Sequence, residues 1–273
     1  MALPDRVRAA CAEVAGRAGH VRIVESAIAG YAGTLPEHRP GAPAADPAFA
    51  LQLGAINFGS GWFPTLRKRP GLSGFRTVEA GLRERGAWSR DELVALDARA
   101  VAATFGQDPG HPLMALFARA LNELGERDPA LTGDAVTIAE RLAALPTWHD
   151  ASAYGDLTVP FFKRAQIAAA DLAPATAAAL TMFADNLVPH VLRLDGVLEF
   201  DAALVDRIDR EDLLEHGSPE EVEIRACAVH AVELLVAAHG ATTAAGADWA
   251  LWTRGGEPRY KARPRHRARC TAY

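Results

Sequence analysis

The sequence predicts an all-α protein, folded as a single helical domain over residues 1–273 with two lobes around a central cleft. Two observations lead to this class. Helix-capping residues recur along the chain, with apolar residues at helical spacing between them. Sustained alternation of β-branched and aromatic residues, the pattern of a half-buried strand, is almost absent.

Several stretches carry the signals of helices. Residues 5–18 contain good helix formers and give the first predicted helix. Ser89 with Glu92 three residues later is a capping box, and the apolar repeat that follows predicts a helix up to Gly106. Three further predicted helices cover 113–124, 133–145 and 160–172. In the last of them, Pro160 suits the first helical position, where the missing N–H needs no partner.

A longer helix is predicted between Ser218 and Gly240. Ser218 and Glu221 form a second capping box, Pro219 takes the first helical position, and Gly240 ends the helix. Apolar residues surround much of its circumference, which predicts a central, mostly buried helix. They are Val222, Ala226, Val229, Val232, Leu235 and Val236.

The chain shows no sign of division into domains. Its 273 residues are enough for one large domain with a sizeable core. Segments 35–47 and 67–74 have the prolines and glycines of loops, but neither is long enough to require a domain boundary. The sequence contains no internal repeat.

The composition excludes several classes of protein. With 49% hydrophobic and 23% charged residues, the chain is neither disordered nor collagen-like. Its three cysteines, Cys11, Cys227 and Cys270, form no Cys-x-x-Cys pair, so neither a disulfide framework nor a cysteine zinc site is expected. The sequence has no apolar signal core and no run long enough to span a membrane, which predicts a cytoplasmic protein.

Charge is unevenly distributed along the chain. The formal net charge is −5, but residues 254–269 contain seven basic residues and one acid. The remainder therefore has 22 basic and 33 acidic residues, a formal charge of −11. An acidic body with a short basic tail is not typical of a protein that coats nucleic acid, although a local anion site in the tail fits the pattern.

The common motifs of several enzyme classes are missing. The sequence has no Gly-x-Gly-x-x-Gly, no phosphate loop, no Gly-x-Ser-x-Gly elbow and no His-Glu-x-x-His. Dinucleotide, nucleotide-triphosphate, serine-hydrolase and zinc-protease chemistry are therefore not expected.

Charged residues within the predicted central helix are the first candidates for a functional site. They are Glu223, Arg225, His230 and Glu233. Buried charges cost on the order of several kcal/mol unless they are paired or used. Internal Glu–Arg pairing is the simpler interpretation for Glu233, whereas a structural and a functional role remain equally open for the set as a whole.

A second candidate region is the predicted helix over 160–172. Arg164 and Asp171 are seven residues apart and lie on one helix face, where they can pair with each other. Lys163 has no acidic partner within reach along the helix. It either faces a phosphate or a distant carboxylate, or it is an ordinary solvated lysine.

Two further segments combine polar and aromatic residues. Asp185 is a single acid in an apolar run shortly before Pro189, and such a residue either caps a helix or acts in a pocket. Phe58, Trp62 and Phe63 lie among glycines in another segment. Exposed aromatic rings on such a loop stack on planar rings such as nucleobases, whereas core packing is the simpler alternative.

In combination, these motifs resemble the queuosine salvage protein family. The resemblance extends from about Asn57 to the carboxyl-terminal segment, with the motifs in the family's order. The matching segments are Asn57-Phe58, Phe162 to Ile167 with Asp171, Thr181 to Asp185 with Pro189, Glu221 to Cys227, Leu251-Trp252, and His266 to Cys270 with Tyr273.

The resemblance implies an N-glycosidase that hydrolyses queuosine 5'-monophosphate and frees the deazaguanine base queuine for reuse in tRNA, without a metal or redox cofactor. It also implies a fold similar to helical DNA glycosylases and gives Asp185 the catalytic position. Asn186 follows this aspartate where the family pattern has an aromatic residue. A carboxylate beneath the sugar stabilises an oxocarbenium-like transition state, attacks it or activates water.

The remaining candidates are expected to hold this small-molecule substrate. Stacking on the base is assigned to Phe58, Trp62 and Phe183. The 5'-phosphate is assigned to Lys163, Arg225, His266 or Arg267, which provide charge-assisted bonds. Asn57, Asn186 and Glu223 complete the predicted substrate-binding set.

The alternatives are a helical DNA or RNA base glycosylase, a nucleoside-binding module without catalysis, and a helical scaffold in which the acids only pair. A monomer is expected, with no nucleic-acid polymer or membrane as partner. The basic tail over 260–273 is expected to pack back against the body rather than to extend into solvent.

Overall fold

A computed structural model describes residues 1–37 and 41–273 and is mostly helical, as the sequence predicts. Short 3-10 turns lie at Phe63–Thr65, Pro146–Trp148 and Pro174–Ala179. The α-helices are α1 (Leu3–Arg17), α2 (Glu25–Ala32), α3 (Pro47–Ala55), α4 (Gly74–Arg85), α5 (Arg90–Ala95), α6 (Ala98–Phe105), α7 (Pro112–Arg127), α8 (Ala135–Ala143), α9 (Lys163–Leu172), α10 (Val188–Leu194), α11 (Ala202–Asp209), α12 (Pro219–His239), α13 (Ala244–Arg254) and α14 (Pro258–Lys261).

Two small antiparallel sheets correct the strictly all-α prediction. Strand β1 (Val21–Ile23) pairs with β4 (Leu198–Phe200), and β2 (Ala151–Tyr154) forms a hairpin with β3 (Leu157–Pro160). Gly155 in the two-residue hairpin turn has a φ of 57°, a left-handed conformation that glycine adopts without a steric penalty. The Gly155-Asp156 pair was the local signal for this hairpin, but the flanking strands are too short to give a clear alternation.

The start of α9 also differs from the prediction. Pro160 is the last residue of β3 and not the first residue of a helix. Phe162 has a φ of 49°, and the helix begins at Lys163, whose backbone N–H donates to Oδ2 of Asp150 at 3.0 Å. Asp150 thus caps α9 from outside the helix, which sequence spacing does not reveal.

The predicted helix after Ser89 is divided in two. The Ser89–Glu92 capping box is present, but α5 ends at Ala95 and the backbone at Leu96 is extended. Asp97 then accepts a hydrogen bond from the backbone N–H of Ala100 and starts α6, which ends at the left-handed Gly106. A second N-cap inside the apolar repeat therefore accounts for the break.

Helix α12 lies at the centre of the core. Its side chains are buried over most of its length, and it packs against α1, α2, α10 and α13. Ser218 accepts from the backbone N–H of Glu221, and Gly240 ends the helix with a φ of 75°, as predicted. The second capping box is incomplete, because the Glu221 carboxylate accepts from the backbone N–H of Gly217 instead of from Ser218.

One continuous hydrophobic core includes residues from Leu3 to Tyr260. A single domain remains a prediction. Of the predicted loop over 35–47, residues 38–40 lie outside the described part. Asp46, near the end of this loop, is the N-cap of α3.

Within the described ranges, no single helix is long and apolar enough to cross a membrane. Helices α12 and α13 pass that test only as a pair bent by 110°.

Candidate active site

Asp185 lies in the segment that leads into α10. Its Oδ1 accepts hydrogen bonds from the backbone N–H groups of Leu187 and Val188, at 2.8 and 3.0 Å. The side chain is partly exposed, and none of the described residues donates a hydrogen bond to Oδ2. One oxygen therefore caps the helix and fixes the carboxylate, and the other is available to a ligand.

Asp248 on α13 is a second carboxyl group beside this segment. The side chain is buried, and its Oδ1 accepts from the backbone N–H of Phe183 at 3.0 Å. Burial and then the negative charge of Asp185 raise the pKa of Asp248 well above its usual range. Asp248 therefore keeps its proton to higher pH than an ordinary aspartate does.

The sequence analysis did not select Asp248. The local signal was an isolated acid in an apolar helix, four residues before Trp252. Trp252 packs edge-on against Phe75 and is stacked with the exposed Trp249, at centroid distances of 6.4 and 6.0 Å. Trp252 lies one turn along α13 from Asp248, Trp249 is the residue next to Asp248, and Phe75 belongs to α4.

Lys163 and Asn57 are brought together by the fold. Lys163 is buried, and its Nζ donates to the backbone oxygen and to Oδ1 of Asn57, both at 2.9 Å. Burial lowers the pKa of Lys163 to about 8, while the negative charge of Asp185 acts in the opposite direction. Lys163 is therefore not a solvated lysine; it lies within electrostatic reach of Asp185 with its ammonium group held by Asn57.

Arg225 joins the segments that carry Lys163 and Asp185. It is fully buried; its Nη2 donates to both oxygens of Asp150, at 2.9 and 2.8 Å, and its Nε donates to the backbone oxygen of Ala184 at 3.0 Å. Burial opposes the charge, but Asp150 and then Glu221 outweigh it and raise the pKa of Arg225. Asp150 also accepts a hydrogen bond from the backbone N–H of Lys163 at the start of α9. The buried Arg225–Asp150 pair therefore positions the segments of both Lys163 and Asp185.

The predicted aromatic residues occupy different environments. Phe58 is buried against Phe117 at a centroid distance of 5.1 Å, and the guanidinium of Arg164 lies over its ring. Trp62 is partly buried against the core. Phe183 is partly exposed, lies two residues before Asp185, and donates its own backbone N–H to Asp248. Phe183 is thus the predicted stacking residue that lies at the carboxyl pair.

Arg164 does not pair with Asp171 as one interpretation suggested. Its guanidinium donates to the backbone oxygens of Ala55 and Thr147. Burial raises the pKa of Asp171 to about 6. Arg164 consequently holds the segment before Asn57 in place.

Glu223 on α12 connects the two sheets. Its Oε2 accepts from the backbone N–H groups of His20 and Val21 at 2.6 and 3.0 Å, and its Oε1 accepts from the Tyr154 hydroxyl at 2.8 Å. The predicted substrate contact of Glu223 has no support in this arrangement. Glu233 pairs with Arg8 at 3.1 Å, in line with the structural interpretation of that residue.

The tail packs against the body, as expected. Tyr260, His266 and Tyr273 are buried. The backbone N–H of Gly59 donates to the backbone oxygen of Tyr273 at 2.9 Å. Asn186 donates from Nδ2 to the backbone oxygen of His266 at 2.9 Å. The predicted site residue Asn186 therefore fixes the tail beside Asp185.

The predicted phosphate ligands of the tail are differently placed. Burial lowers the pKa of His266 to about 3, so that its ring is neutral at pH 7. Arg267 pairs with Glu211, with 3.4 Å between Nη2 of the arginine and Oε2 of the carboxylate. Arg265, which the sequence analysis did not select, is close enough to Asp185 for that negative charge to act on its pKa, against a larger lowering by burial.

A separate cavity lies between α1, β1 and α12. It has a volume of about 840 Å³ and is lined by His20, Asp201 and His230 among others. None of Lys163, Asp185 and Asp248 lines it. Over residues 1–37 and 41–273, no group of three or more His, Cys, Asp or Glu side chains is arranged to hold a metal ion.

Comparison with known proteins places these residues in a family. A model of the queuosine salvage protein family matches residues 91–273. The protein from Sphaerobacter thermophilus called queuosine 5'-phosphate N-glycosylase/hydrolase is 37% identical over 200 residues, which cover 63% of this chain and 62% of that protein. Proteins of the same name from Bos taurus and Dictyostelium discoideum are 30% and 36% identical, over 47% and 44% of this chain and 45% and 42% of their own lengths.

The matched region thus spans less than two thirds of each of these relatives. The family match over residues 91–273 includes Lys163, Asp185, Asp248 and Arg265 of the candidate site. Because that match covers more than half of the chain, the protein belongs to the queuosine salvage protein family.

Proposed function

We propose that this protein is an N-glycosidase that hydrolyses queuosine 5'-monophosphate and releases queuine. The names of its relatives support the substrate and the reaction. The observation that carries the proposal is the carboxyl pair: Asp185 has a free oxygen and is partly exposed, whereas Asp248 is buried with a raised pKa. Two carboxyl groups with such different environments fit the two roles that glycoside hydrolysis needs.

Asp185 acts on the sugar in this proposal. The bond between the anomeric carbon and the base nitrogen breaks, and positive charge develops on the sugar ring. Oδ2 of Asp185 stabilises this charge, and it accepts a proton from the water whose oxygen bonds to the anomeric carbon. Its Oδ1 stays on the backbone N–H groups of Leu187 and Val188, so the carboxylate needs little reorganisation.

Asp248 acts on the base. The departing base gains an electron pair and requires a proton, and a deazaguanine has carbon at the ring position where guanine has N7. The proton must therefore reach a different nitrogen or oxygen of the base, and the protonated Asp248 supplies it from a buried position. The proton taken up by Asp185 and that lost by Asp248 then exchange with solvent, so that one water is consumed in each cycle.

Lys163 adds a positive charge near the two carboxyl groups. Its ammonium group is fixed by Asn57 and lies within electrostatic reach of both Asp185 and Asp248. Phe183 and the rings near Trp252 offer apolar faces for the planar base.

The proposal also includes the oligomeric state, the kind of substrate, the cellular location and the fold. We infer a monomer that acts on a small molecule in the cytoplasm, with a fold like that of helical DNA glycosylases and two lobes around the cleft. The formal charge of −11 outside the tail argues against a nucleic-acid polymer as substrate, and the free thiols Cys11, Cys227 and Cys270 fit a reducing compartment. Light scattering and an experimental structure test the monomer and the fold.

The decisive experiment is incubation with queuosine 5'-monophosphate, with free queuine followed by mass spectrometry. Release of queuine by the wild-type protein, and its loss in the Asp248→Asn variant, is expected. Binding of the nucleotide without release of queuine would identify a binding module instead. A duplex or single-stranded nucleic acid containing the modified base is the comparison substrate, and steep salt dependence would mark a polymer-acting glycosylase.

A further inference from the structure

A cysteine and a histidine meet where the tail runs beside the segment that precedes α12. Leu214 and Ala268 form an isolated parallel bridge, and the backbone N–H of Leu214 donates to the backbone oxygen of Arg267 at 2.9 Å. In a parallel pair, the residues two positions further along each segment are again neighbours on the same side. This register brings His216 to Cys270, and the His216 ring is within hydrogen-bonding reach of the sulfur.

Glu221, in the first turn of α12, orients the ring of His216. Its Oε2 lies 3.5 Å from Nδ1 of His216 and accepts from the backbone N–H of Gly217 at 3.0 Å. Glu221 is fully buried, and its other oxygen lies 3.5 Å from the guanidinium of Arg225. Contact with Cys270 and then with Glu221 raises the pKa of His216 to about 10, so the ring holds a proton at pH 7. A thiol beside an imidazole that a third group orients is the arrangement in which proteins activate a cysteine.

The surroundings of Cys270 are electropositive and open only to small molecules. Arg164 on α9 is a second cation within electrostatic reach of the sulfur. Cys270 is 6% exposed, whereas the neighbouring His216 side chain is 32% exposed. Reactive cysteines lie in electropositive and partly accessible surroundings of this kind. The small opening favours a reactant of the size of hydrogen peroxide.

The other two cysteines have a different environment. Cys11 and Cys227 are fully buried, and burial raises the pKa of both thiols. Buried thiols in apolar surroundings are inert. The chain therefore contains two internal controls for the reactivity of Cys270.

We propose that Cys270 is a modification site for hydrogen peroxide, with His216 as the proton donor of the reaction. The sulfur, whose proton is held by His216, gives an electron pair to one peroxide oxygen. An S–O bond forms and the O–O bond breaks, so that the sulfur is oxidised by two electrons and the peroxide is reduced. The departing hydroxide takes the proton from His216 and leaves as water, and Cys270 becomes a sulfenic acid. This reaction is separate from the proposed hydrolysis.

Oxidation of Cys270 alters the packing of the tail. Cys270 belongs to a small buried cluster with Ala268, Ala272 and Tyr273. An oxygen added to the sulfur must find room in this cluster, and protein interiors have few voids of that size. The oxidised tail is therefore held less firmly against the body.

Trapping of the sulfenic acid with dimedone tests the site. The full-length protein is treated with hydrogen peroxide and dimedone, and mass spectrometry of its peptides gives the labelling rate of each cysteine. Cys270 is expected to react at least about tenfold faster than Cys11 or Cys227. Equal rates at the three cysteines overturn the proposal.

His216→Gln tests the role of the imidazole. Labelling of Cys270 should slow by about tenfold or more, because the sulfur loses the group that carries its proton. His20→Gln is the matched control, since His20 is similarly exposed and also pairs with a carboxylate, that of Asp201 at 2.6 Å. An unchanged rate at Cys270 in folded His216→Gln overturns the proposal.

A second measurement needs no variant. The labelling rate of Cys270 in the folded protein is compared with that of the same cysteine in guanidinium chloride, where its contact with His216 is lost. Activation by the fold predicts a faster reaction in the folded protein, whereas burial alone predicts a slower one. A slower reaction in the folded protein overturns the proposal.

The melting temperature tests the effect on the tail. Peroxide should lower the melting temperature of the wild type by about 2–10 °C and leave that of Cys270→Ala unchanged. Equal changes in the two proteins, or no change in a wild type whose Cys270 is fully oxidised, overturn the predicted effect on the tail.

Discussion

The backbone N–H of Phe183 donates to Oδ1 of Asp248 at 3.0 Å, and this bond fixes α13 against the segment that carries Asp185. It also means that the two carboxyl groups cannot move independently. Asp185 in turn holds the start of α10 through Leu187 and Val188. The geometry of the pair is therefore set by main-chain hydrogen bonds, which are preserved when a carboxyl group is replaced by an amide.

Asp185→Asn should retain the fold and lose turnover. The amide oxygen of asparagine can accept the same two hydrogen bonds from the backbone N–H groups of Leu187 and Val188, so the contact with the start of α10 is kept. Loss of a well-placed electrostatic stabiliser lowers the rate by about 10²–10³. Single-turnover release of queuine and the melting temperature measure the two effects, and a folded variant that hydrolyses the nucleotide at a near-normal rate removes Asp185 from the catalytic role.

Asp248 should make stability depend on pH. In the unfolded chain it loses its proton near the ordinary aspartate pKa of about 3.9, whereas the folded protein retains the proton to higher pH. The contribution of Asp248 to the free energy of unfolding is therefore fully present below about pH 4. It is lost as the pH rises towards the raised pKa of Asp248 in the folded protein. Melting temperatures of Asp248→Asn and wild type should diverge over this range in favour of the variant; parallel curves would show that the pKa of Asp248 is not raised.

Lys163→Met should impair the nucleotide and the nucleoside equally. The ammonium group of Lys163 is held by Asn57 near the carboxyl pair, so its removal affects a step that both substrates share. Values of kcat/KM for both substrates check this expectation. A loss confined to the nucleotide would instead assign the phosphate to Lys163, one of the assignments made from sequence.

Asp150→Ala should destabilise the protein by about 3–5 kcal/mol, because it leaves the guanidinium of Arg225 buried without its main partner. The free energy of unfolding from denaturant titration measures this. Asp5→Ala is the control, since Asp5 forms an exposed pair with Arg8, and such pairs contribute about 0–1 kcal/mol. Similar effects of the two substitutions would contradict the positioning role of the buried pair.

Gly61→Ala should displace the tail. A Cβ at Gly61 would lie 2.4 Å from the backbone oxygen of Ala268, so the tail must shift, at a cost of about 1–3 kcal/mol. Activity should fall together with the melting temperature, because Arg265 is three residues from the displaced position. Gly16→Ala in α1 is the matched control, because the added methyl group meets no atom within 4 Å apart from its chain neighbours and the backbone of its own helix. An unchanged rate in Gly61→Ala would show that the site does not depend on the tail.

Helix ends were the part of the fold that the sequence predicted best, since caps act over three or four residues. Ser89, Ser218 and Gly240 mark ends in the structure as the patterns indicate. The break at Asp97 and the hairpin at Gly155 were missed because each is a short local event inside a longer pattern.

The site was predicted less completely for a different reason. Asp185, Lys163 and Asn57 were selected, and the structure brings Lys163 and Asn57 into contact within electrostatic reach of Asp185. Asp248 and Arg265 depend on contacts between residues far apart in the chain, and nothing in their immediate neighbours indicates those contacts. For the charged residues of α12, the sequence left a structural and a functional role equally open. In the structure, Glu223 and Arg225 use their charge on the protein itself.

The groups of the site come from positions as distant along the chain as Asn57 and Arg265, on two loop segments, two helices and the tail. Pairing such remote segments is the slow part of folding, whereas a helix forms from neighbours within about a microsecond. During refolding, the helical signal should thus return well before queuine release does. Recovery of queuine release then reports the assembly of these remote segments, including the tail that Asn186 holds through the backbone oxygen of His266.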